Sequence, residues 1–145
     1  KGIITKLLPI KLFIRRIPFF PLIWGAPLSI NETIGPYSLA DEVRVQSSLI
    51  NSYIDRHHSH SDKVPFEWIP KTVMYLSAIE LVIKKDIEFT ISFAETEQNW
   101  KTDKNHIAHL SMNIRRAKYV ISEEEKQDYL KSVKEYLDHL KSIII

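Results

Sequence analysis

Cysteine is absent from this sequence of 145 residues. Its absence excludes disulfide bonds, thiolate zinc sites and cysteine nucleophiles, and it suits an intracellular protein. Glycine is scarce, with three residues, and neither a phosphate-binding loop nor a dinucleotide fingerprint is present. No serine stands in a nucleophile-elbow pattern. We therefore expect a protein that is not an enzyme and that has neither catalytic residues nor a cofactor.

The sequence also lacks a large excess of positive or negative charge, since the formal net charge is +2 at pH 7. Such a balance does not by itself indicate nucleic-acid binding. A basic segment nevertheless precedes Glu32, the first acidic residue, and it contains Lys6, Lys11, Arg15 and Arg16. These four side chains are candidate phosphate contacts, so a small nucleic-acid-binding module is our alternative interpretation. Prolines interrupt the apolar residues around them, and we therefore expect no insertion into a membrane.

Glycine and proline divide the chain into two halves. All three glycines and all seven prolines lie at or before Pro70, and neither residue occurs from Lys71 to Ile145. Because these residues are the main breakers of regular structure, the first half should consist of short strands and turns and the second half of helices. We therefore predict the α+β class. A small β-rich domain with one short helix would span residues 1–64, and an α-helical bundle domain would span residues 65–145.

Three short strands are predicted in the first half. Residues 3–14 and 17–24 are apolar stretches with many β-forming residues, and prolines cut them. Val43 and Val45 alternate with charged residues, which predicts a further strand over residues 41–45. These strands would form the small N-terminal domain.

Helical spacing of apolar residues appears later in the chain. It predicts a short amphipathic helix over residues 46–56 and longer helices over residues 67–93 and 102–121. Ser122 is followed three residues later by Glu125, a capping-box pattern that predicts the start of a last helix. The second half is thus expected to contain three helices.

The histidines raise the question of a metal site. Three of them fall in a polar loop predicted over residues 57–63, and His106 and His109 lie three apart on one helical face. Imidazole is a common metal ligand, but a site needs further ligands on rigid elements. We expect solvated or boundary histidines and no metal. A metal-dependent enzyme is the remaining interpretation, and it would use His57, His58, His60, His106 and His109.

A string of motifs in the first half resembles a known family. The turn Ile34-Gly35-Pro36-Tyr37 precedes the predicted strand at Glu42–Val45, the predicted helix at Ser48–Arg56 follows, and Val64-Pro65-Phe66-Glu67-Trp68-Ile69 comes last. In this order the motifs resemble the small β domain of those GINS subunits that carry it ahead of the helical domain. This class comprises the archaeal two–three type subunit and its eukaryotic relatives Psf-two and Psf-three.

The resemblance implies a scaffold in DNA replication. GINS subunits form a heterotetramer with paralogous subunits, and the complex supports the MCM replicative helicase together with a RecJ-like, Cdc-type protein. The family has no catalytic residues to transfer, and direct contact with DNA is left open. The implied compartment is the cytoplasm or nucleoid of an archaeon, or the nucleus of a eukaryote.

The helix predicted over residues 67–93 is amphipathic, with Glu80, Lys84 and Lys85 assigned to its solvent side. Three such helices make a thin core, so we expect them to have more apolar surface than they cover for each other. This surplus predicts an interface with another polypeptide. The side chains assigned to it are Trp68, Leu76, Ile83, Tyr129, Val133, Tyr136 and Leu137.

Overall fold

A computed structural model describes residues 38–59 and 65–144. This part of the chain folds into five helices, and it contains no β-strand. In chain order they are α1 (Leu39–Ser59), α2 (Trp68–Lys85), α3 (Phe93–Asn99), α4 (Ile107–Arg116) and α5 (Glu123–Ile144). The fold is a helical bundle, so the predicted α+β class is wrong for these residues. The strands predicted over residues 3–14 and 17–24 lie outside the described residues.

The strand predicted over residues 41–45 is instead the start of α1. Ser38 caps this helix, since its Oγ accepts a hydrogen bond from the Asp41 backbone N–H at 3.1 Å. The Asp41 carboxylate accepts in return from the Ser38 backbone N–H at 3.0 Å, which is the reciprocal arrangement of a capping box. Val43 is fully buried, whereas Val45 is 39% exposed, so the two valines do not share one face.

Helix α1 confirms the helix predicted over residues 46–56 but is longer at both ends. It includes His57, His58 and Ser59, which were predicted to belong to a polar loop. His57 is buried and His58 is exposed, as expected for neighbours on a helix with one buried side. The remainder of that predicted loop, residues 60–63, lies outside the described residues.

The long helix predicted over residues 67–93 ends early, because α2 stops at Lys85, residues 86–92 are not helical, and α3 begins only at Phe93. Helix α2 ends because Asp86 adopts the left-handed conformation, with φ 51°. The backbone N–H of Asp86 then donates to the Val82 carbonyl at 3.1 Å. Ser92 begins α3 by accepting a hydrogen bond from the Glu95 backbone N–H. Glycine usually takes the left-handed position at a helix end, so a stop made by aspartate leaves no clear signal in the sequence.

The helix predicted over residues 102–121 is shortened to α4 for a similar reason. His106 caps its start, and Lys118 and Tyr119 follow its end with positive φ values of 54° and 63°. The start of α5 was predicted correctly. Ser122 Oγ accepts from the Glu125 backbone N–H at 3.1 Å and donates to the Glu125 carboxylate at 3.0 Å.

Helix α2 lies at the centre of the bundle, where it contacts α1, α3 and α4, while α5 contacts α1 and α4. One continuous apolar core joins α1, α2, α4 and α5. Helix α1 therefore packs with the helices of the second half, although it precedes the predicted domain boundary at residues 64–65. The division into domains of residues 1–64 and 65–145 stays a prediction. None of the described helices has the length and apolar character needed to cross a membrane.

The shared core generates a prediction for Ile50, a fully buried residue of α1. Replacing Ile50→Ala should lower the free energy of unfolding of the whole bundle by about 2–5 kcal/mol, because it leaves a cavity in the apolar core that α1 shares with the other helices. Urea unfolding followed by the helical circular dichroism signal measures this loss. Ser52→Ala, at an exposed position of the same helix, is the control and should change the free energy by less than about 0.5 kcal/mol. An unchanged urea midpoint in Ile50→Ala would show that α1 is not part of the common core.

Candidate functional site

A buried carboxylate, that of Glu80 on α2, is the centre of the most extensive polar cluster in the described residues. Its side chain is only 1% exposed. His106 Nε2 and the Tyr136 hydroxyl each lie 2.7 Å from Oε1, and Lys84 Nζ lies 2.8 Å from Oε2. His139 Nε2 lies 3.3 Å from Oε2. The cluster thus joins α2 to the start of α4 and to α5.

The hydrogen bonds decide the charge of Glu80. Burial by itself raises the pKa of this carboxyl, but hydrogen bonds from His106, Lys84 and Tyr136 outweigh burial and lower the pKa to about 2. The pKa of Tyr136 moves the other way, because burial and then the charge of Glu80 raise it well above its usual value. Glu80 is therefore ionised at neutral pH, and Tyr136 is a neutral hydrogen-bond donor.

The tautomer of His106 follows from its contacts. Its Nδ1 accepts a hydrogen bond from the Ala108 backbone N–H at 3.0 Å, which caps α4. The proton must then reside on Nε2, which donates to Glu80. The ring stacks on Trp100 with centroids 3.7 Å apart and meets the Tyr136 ring edge-on at 5.4 Å. Both ring nitrogens of His106 are thus in use, and its ring is packed against two aromatic side chains.

Trp100 is buried behind this histidine. Its Nε1–H donates to the Ser77 carbonyl on α2 at 3.1 Å. The ammonium group of Lys85 lies 4.8 Å from the centre of the Trp100 ring, within the range of a cation–π interaction. Trp100 therefore holds the loop between α3 and α4 against α2, and this places His106 beside Glu80.

His109 braces the same loop. Its Nε2 lies 2.9 Å from the Trp100 carbonyl and 3.0 Å from the Asp103 carbonyl. Since carbonyl oxygens only accept, this nitrogen carries a proton and donates. His106 and His109, although three residues apart, thus contact different groups and do not share a ligand position.

Two further buried polar contacts join helices. Glu42 of α1 accepts hydrogen bonds from Gln46 and from the Tyr75 hydroxyl of α2, each at 3.1 Å. The Ser111 hydroxyl of α4 lies 2.7 Å from the Tyr129 hydroxyl of α5. These contacts, like those of Glu80, fix the positions of the helices relative to one another.

The Glu80 cluster is suited to holding helices together and not to proton transfer. Glu80 carries no proton to donate, and its two oxygens already accept hydrogen bonds from three side chains. His106 has no free ring nitrogen, and the raised pKa of Tyr136 keeps its phenol protonated. A general acid or base needs a group that can exchange its proton with a substrate. In this cluster only Lys84 and His139, both partly exposed, reach the surface.

The assignment of Glu80 to the solvent side of its helix was wrong. Glu80 follows Leu76 by four residues and precedes Ile83 by three, so it lies on the same helical face as these two residues. This spacing was the available signal. The partners that make burial of the charge favourable come from His106 and Tyr136, and their approach depends on the tertiary fold.

The remaining histidine candidates are separated from this cluster. His57 is buried with its ring 5.9 Å from the ring of Phe66, and His58 is exposed on the last turn of α1. His60 lies outside the described residues. Within residues 38–59 and 65–144, no three histidine, aspartate or glutamate side chains are placed to hold a metal ion.

Most of the predicted interface residues pack inside this chain. Tyr136 belongs to the Glu80 cluster, and Ile83 is half-buried against the core. Trp68 alone among the predicted residues is largely accessible, at 41%. The others are covered by the helices of the chain itself, and they are Leu76, Tyr129, Val133 and Leu137. The predicted nucleic-acid contacts lie outside the described residues, and they are Lys6, Lys11, Arg15 and Arg16.

Comparison with known proteins yields no relative. No protein-family model matches the chain, and neither a curated protein nor a solved structure matches it.

The pKa of Glu80 generates a prediction about acid stability. Because its folded pKa of about 2 lies below the ordinary value of 4.5, ionised Glu80 stabilises the fold above about pH 4.5. This contribution, about 3 kcal/mol, is lost as the pH falls from 4.5 through 2. The substitution Glu80→Gln should therefore lower the free energy of unfolding by about 3 kcal/mol at neutral pH. The difference from the parent protein should shrink below pH 4.5, as measured by urea unfolding at a series of pH values.

Glu135→Gln is the matched control for this comparison, since Glu135 is exposed on α5. It should leave the free energy of unfolding within about 0.5 kcal/mol of the parent at every pH. A Glu80→Gln protein that is as stable as the parent at neutral pH would contradict the structural role of the carboxylate.

Proposed function

We propose that this chain is a non-catalytic assembly subunit that holds partner proteins in position. The main support is that buried polar side chains hydrogen-bond to one another and so connect its own helices. The most elaborate cluster of titratable side chains, around Glu80, consists of hydrogen bonds between helices of the same chain. These contacts favour a rigid helical module, which is what a scaffold requires.

One apolar surface that this module leaves uncovered lies where α1 meets the start of α2, and further apolar side chains are exposed singly elsewhere, at Ile91, Leu110 and Val120. Val45, Leu49 and Tyr53 follow one another at intervals of four residues and so share one side of α1. The ring of Tyr53 lies 5.3 Å from the ring of Trp68, which begins α2. We call these four residues the Trp68 face. Val45 and Trp68 are exposed, and the other two are half-buried.

The chemistry of the Trp68 face suits a protein partner. Tryptophan and tyrosine are enriched at the centres of protein interfaces, where a few such side chains supply most of the binding energy. We propose that a paralogous sister subunit covers this face in a heterotetramer of the GINS kind. That complex would support the MCM helicase with its RecJ-like, Cdc-type companion.

Part of the motif string supports this specific proposal. The segment Pro65-Phe66-Glu67-Trp68 leads directly into the helix α2, as the resemblance implies for the entry to the helical domain. Residues 42–45 do not support it, because they are helical and the resemblance requires a strand there. The turn at residues 34–37 lies outside the described residues. The alternative of nucleic-acid binding rests on basic residues that also lie outside them.

The proposal predicts that the complete chain forms a stable complex with a GINS paralogue encoded in the same genome. The two proteins are co-expressed, and the molar mass of the purified complex is measured by light scattering. We expect a mass that corresponds to a heterotetramer. A monomeric chain, both alone and with the paralogue, would contradict the proposal.

The Trp68 face is tested by substitution within that complex. Trp68→Lys should weaken the association at least about tenfold, because it removes an apolar anchor and places a charge in the interface. Leu110→Lys is the control, because Leu110 is as exposed as Trp68 (42% against 41%) but lies on α4. Equal affinities for the two variants would show that the partner binds elsewhere.

A further inference from the structure

Two basic side chains compete for one oxygen at the accessible edge of the Glu80 cluster. Lys84 Nζ lies 2.8 Å from Glu80 Oε2, and His139 Nε2 lies 3.3 Å from the same oxygen. The two nitrogens lie 2.8 Å from each other. Lys84 follows Glu80 by one turn of α2, and His139 reaches the carboxylate from α5. Glu80, Lys84 and His139 thus form a triangle of contacts that joins α2 to α5 at the surface of the protein.

The short distance between the nitrogens fixes one protonation state. A lysine ammonium group donates hydrogen bonds and cannot accept them. At 2.8 Å from Lys84 Nζ, the Nε2 atom of His139 must therefore present a lone pair. In this arrangement His139 is neutral with its proton on Nδ1, and Lys84 donates to both His139 and Glu80.

Protonation of His139 is incompatible with this arrangement. A proton on Nε2 removes the acceptor for Lys84 and brings two positive charges within 2.8 Å of each other. The same proton points a new donor toward Glu80 Oε2, which is already 3.3 Å away. Lys84 is 36% exposed on a flexible stem, so it can turn into solvent without leaving a buried charge unpaired.

The groups around His139 keep their charges when the His139 ring gains or loses a proton. Glu80 is ionised, with a pKa of about 2, and Tyr136, whose ring lies 6.5 Å from that of His139, has a pKa raised well above its usual value. His106, at the other oxygen of Glu80, holds hydrogen bonds at both ring nitrogens. Histidine is the side chain type that ordinarily changes charge between about pH 5 and 8. His139 is 46% exposed and open to protons from solvent.

We infer that Lys84 and His139 form a proton-driven exchange at Glu80. At higher pH Lys84 holds the carboxylate and also binds neutral His139. At lower pH protonated His139 takes its place at Oε2, and the ammonium group of Lys84 is released to solvent. The connection between α2 and α5 survives in both states, and the surface at this edge becomes more positive as the pH falls. This device is independent of the proposed function.

Nuclear magnetic resonance of the isotope-labelled, full-length chain tests the exchange. The ring nitrogens of His139 and the side-chain nitrogen of Lys84 are followed from about pH 8 to about pH 5. We expect His139 to carry its proton on Nδ1 at the upper end of this range. The Lys84 signal should shift with the same midpoint as His139, while that of exposed Lys101 stays constant. A His139 titration that leaves Lys84 unchanged, or a proton on Nε2 at the upper end, would overturn the inference.

Two variants separate the exchange from a general effect of pH. His139→Gln retains an oxygen acceptor but cannot take up a proton, so the Lys84 signal should no longer shift between the two pH values. Lys84→Met removes the competing donor and leaves Glu80 in place, so neutral His139 should carry its proton on Nε2, toward Glu80, instead of on Nδ1. Both positions are exposed, and folding should be retained. A Lys84 signal that still shifts in His139→Gln, or a His139 proton that stays on Nδ1 in Lys84→Met, would count against the exchange.

Discussion

The ionised carboxylate of Glu80 is the constraint on which the arrangement of the helices depends. An unpaired charge inside a protein is very costly, so its burial requires donors from the surrounding structure. Here the donors are His106, Lys84 and Tyr136, which come from three parts of the chain. The observed packing of α2, the α3–α4 loop and α5 brings them together. The carboxylate thus favours one arrangement of helices that apolar contacts alone would specify less strictly.

Stacking extends this constraint to the loop between α3 and α4. Trp100 holds the ring of His106 from one side, and its indole N–H is bonded to α2. His106 in turn caps α4. A change at Glu80 is therefore transmitted to the start of α4 through His106. Such a rigid centre suits a protein whose task is to hold other surfaces in place.

The sequence predicted part of this fold. The start of α5 was found because its capping box is local, with Ser122 and Glu125 three residues apart. The strand predicted over residues 41–45 was wrong because alternation over so few residues is too short a pattern to exclude a helix. The capping pair of Ser38 and Asp41 is the local signal that indicates the helix directly.

The ends of the helices in the second half were harder to predict from sequence. Asp86, Lys118 and Tyr119 take the left-handed conformation that glycine usually adopts at helix ends, so the absence of glycine concealed these ends. The burial of Glu80 could be inferred from its spacing to Leu76 and Ile83, but its partners could not. They lie 26 and 56 residues further along the chain, and only the packed bundle brings them into contact.

The ionisation of Glu80 is the property that tests this account most directly. The carboxyl carbon of Glu80 is observed by nuclear magnetic resonance while the pH is lowered from 7 toward the acid limit of folding. We expect a signal that stays constant through pH 4.5, the ordinary pKa of a glutamate, because the pKa of Glu80 in the folded protein is about 2. A titration at or above pH 4.5 would show that the surrounding donors do not hold the charge, and the structural role of the network would be contradicted.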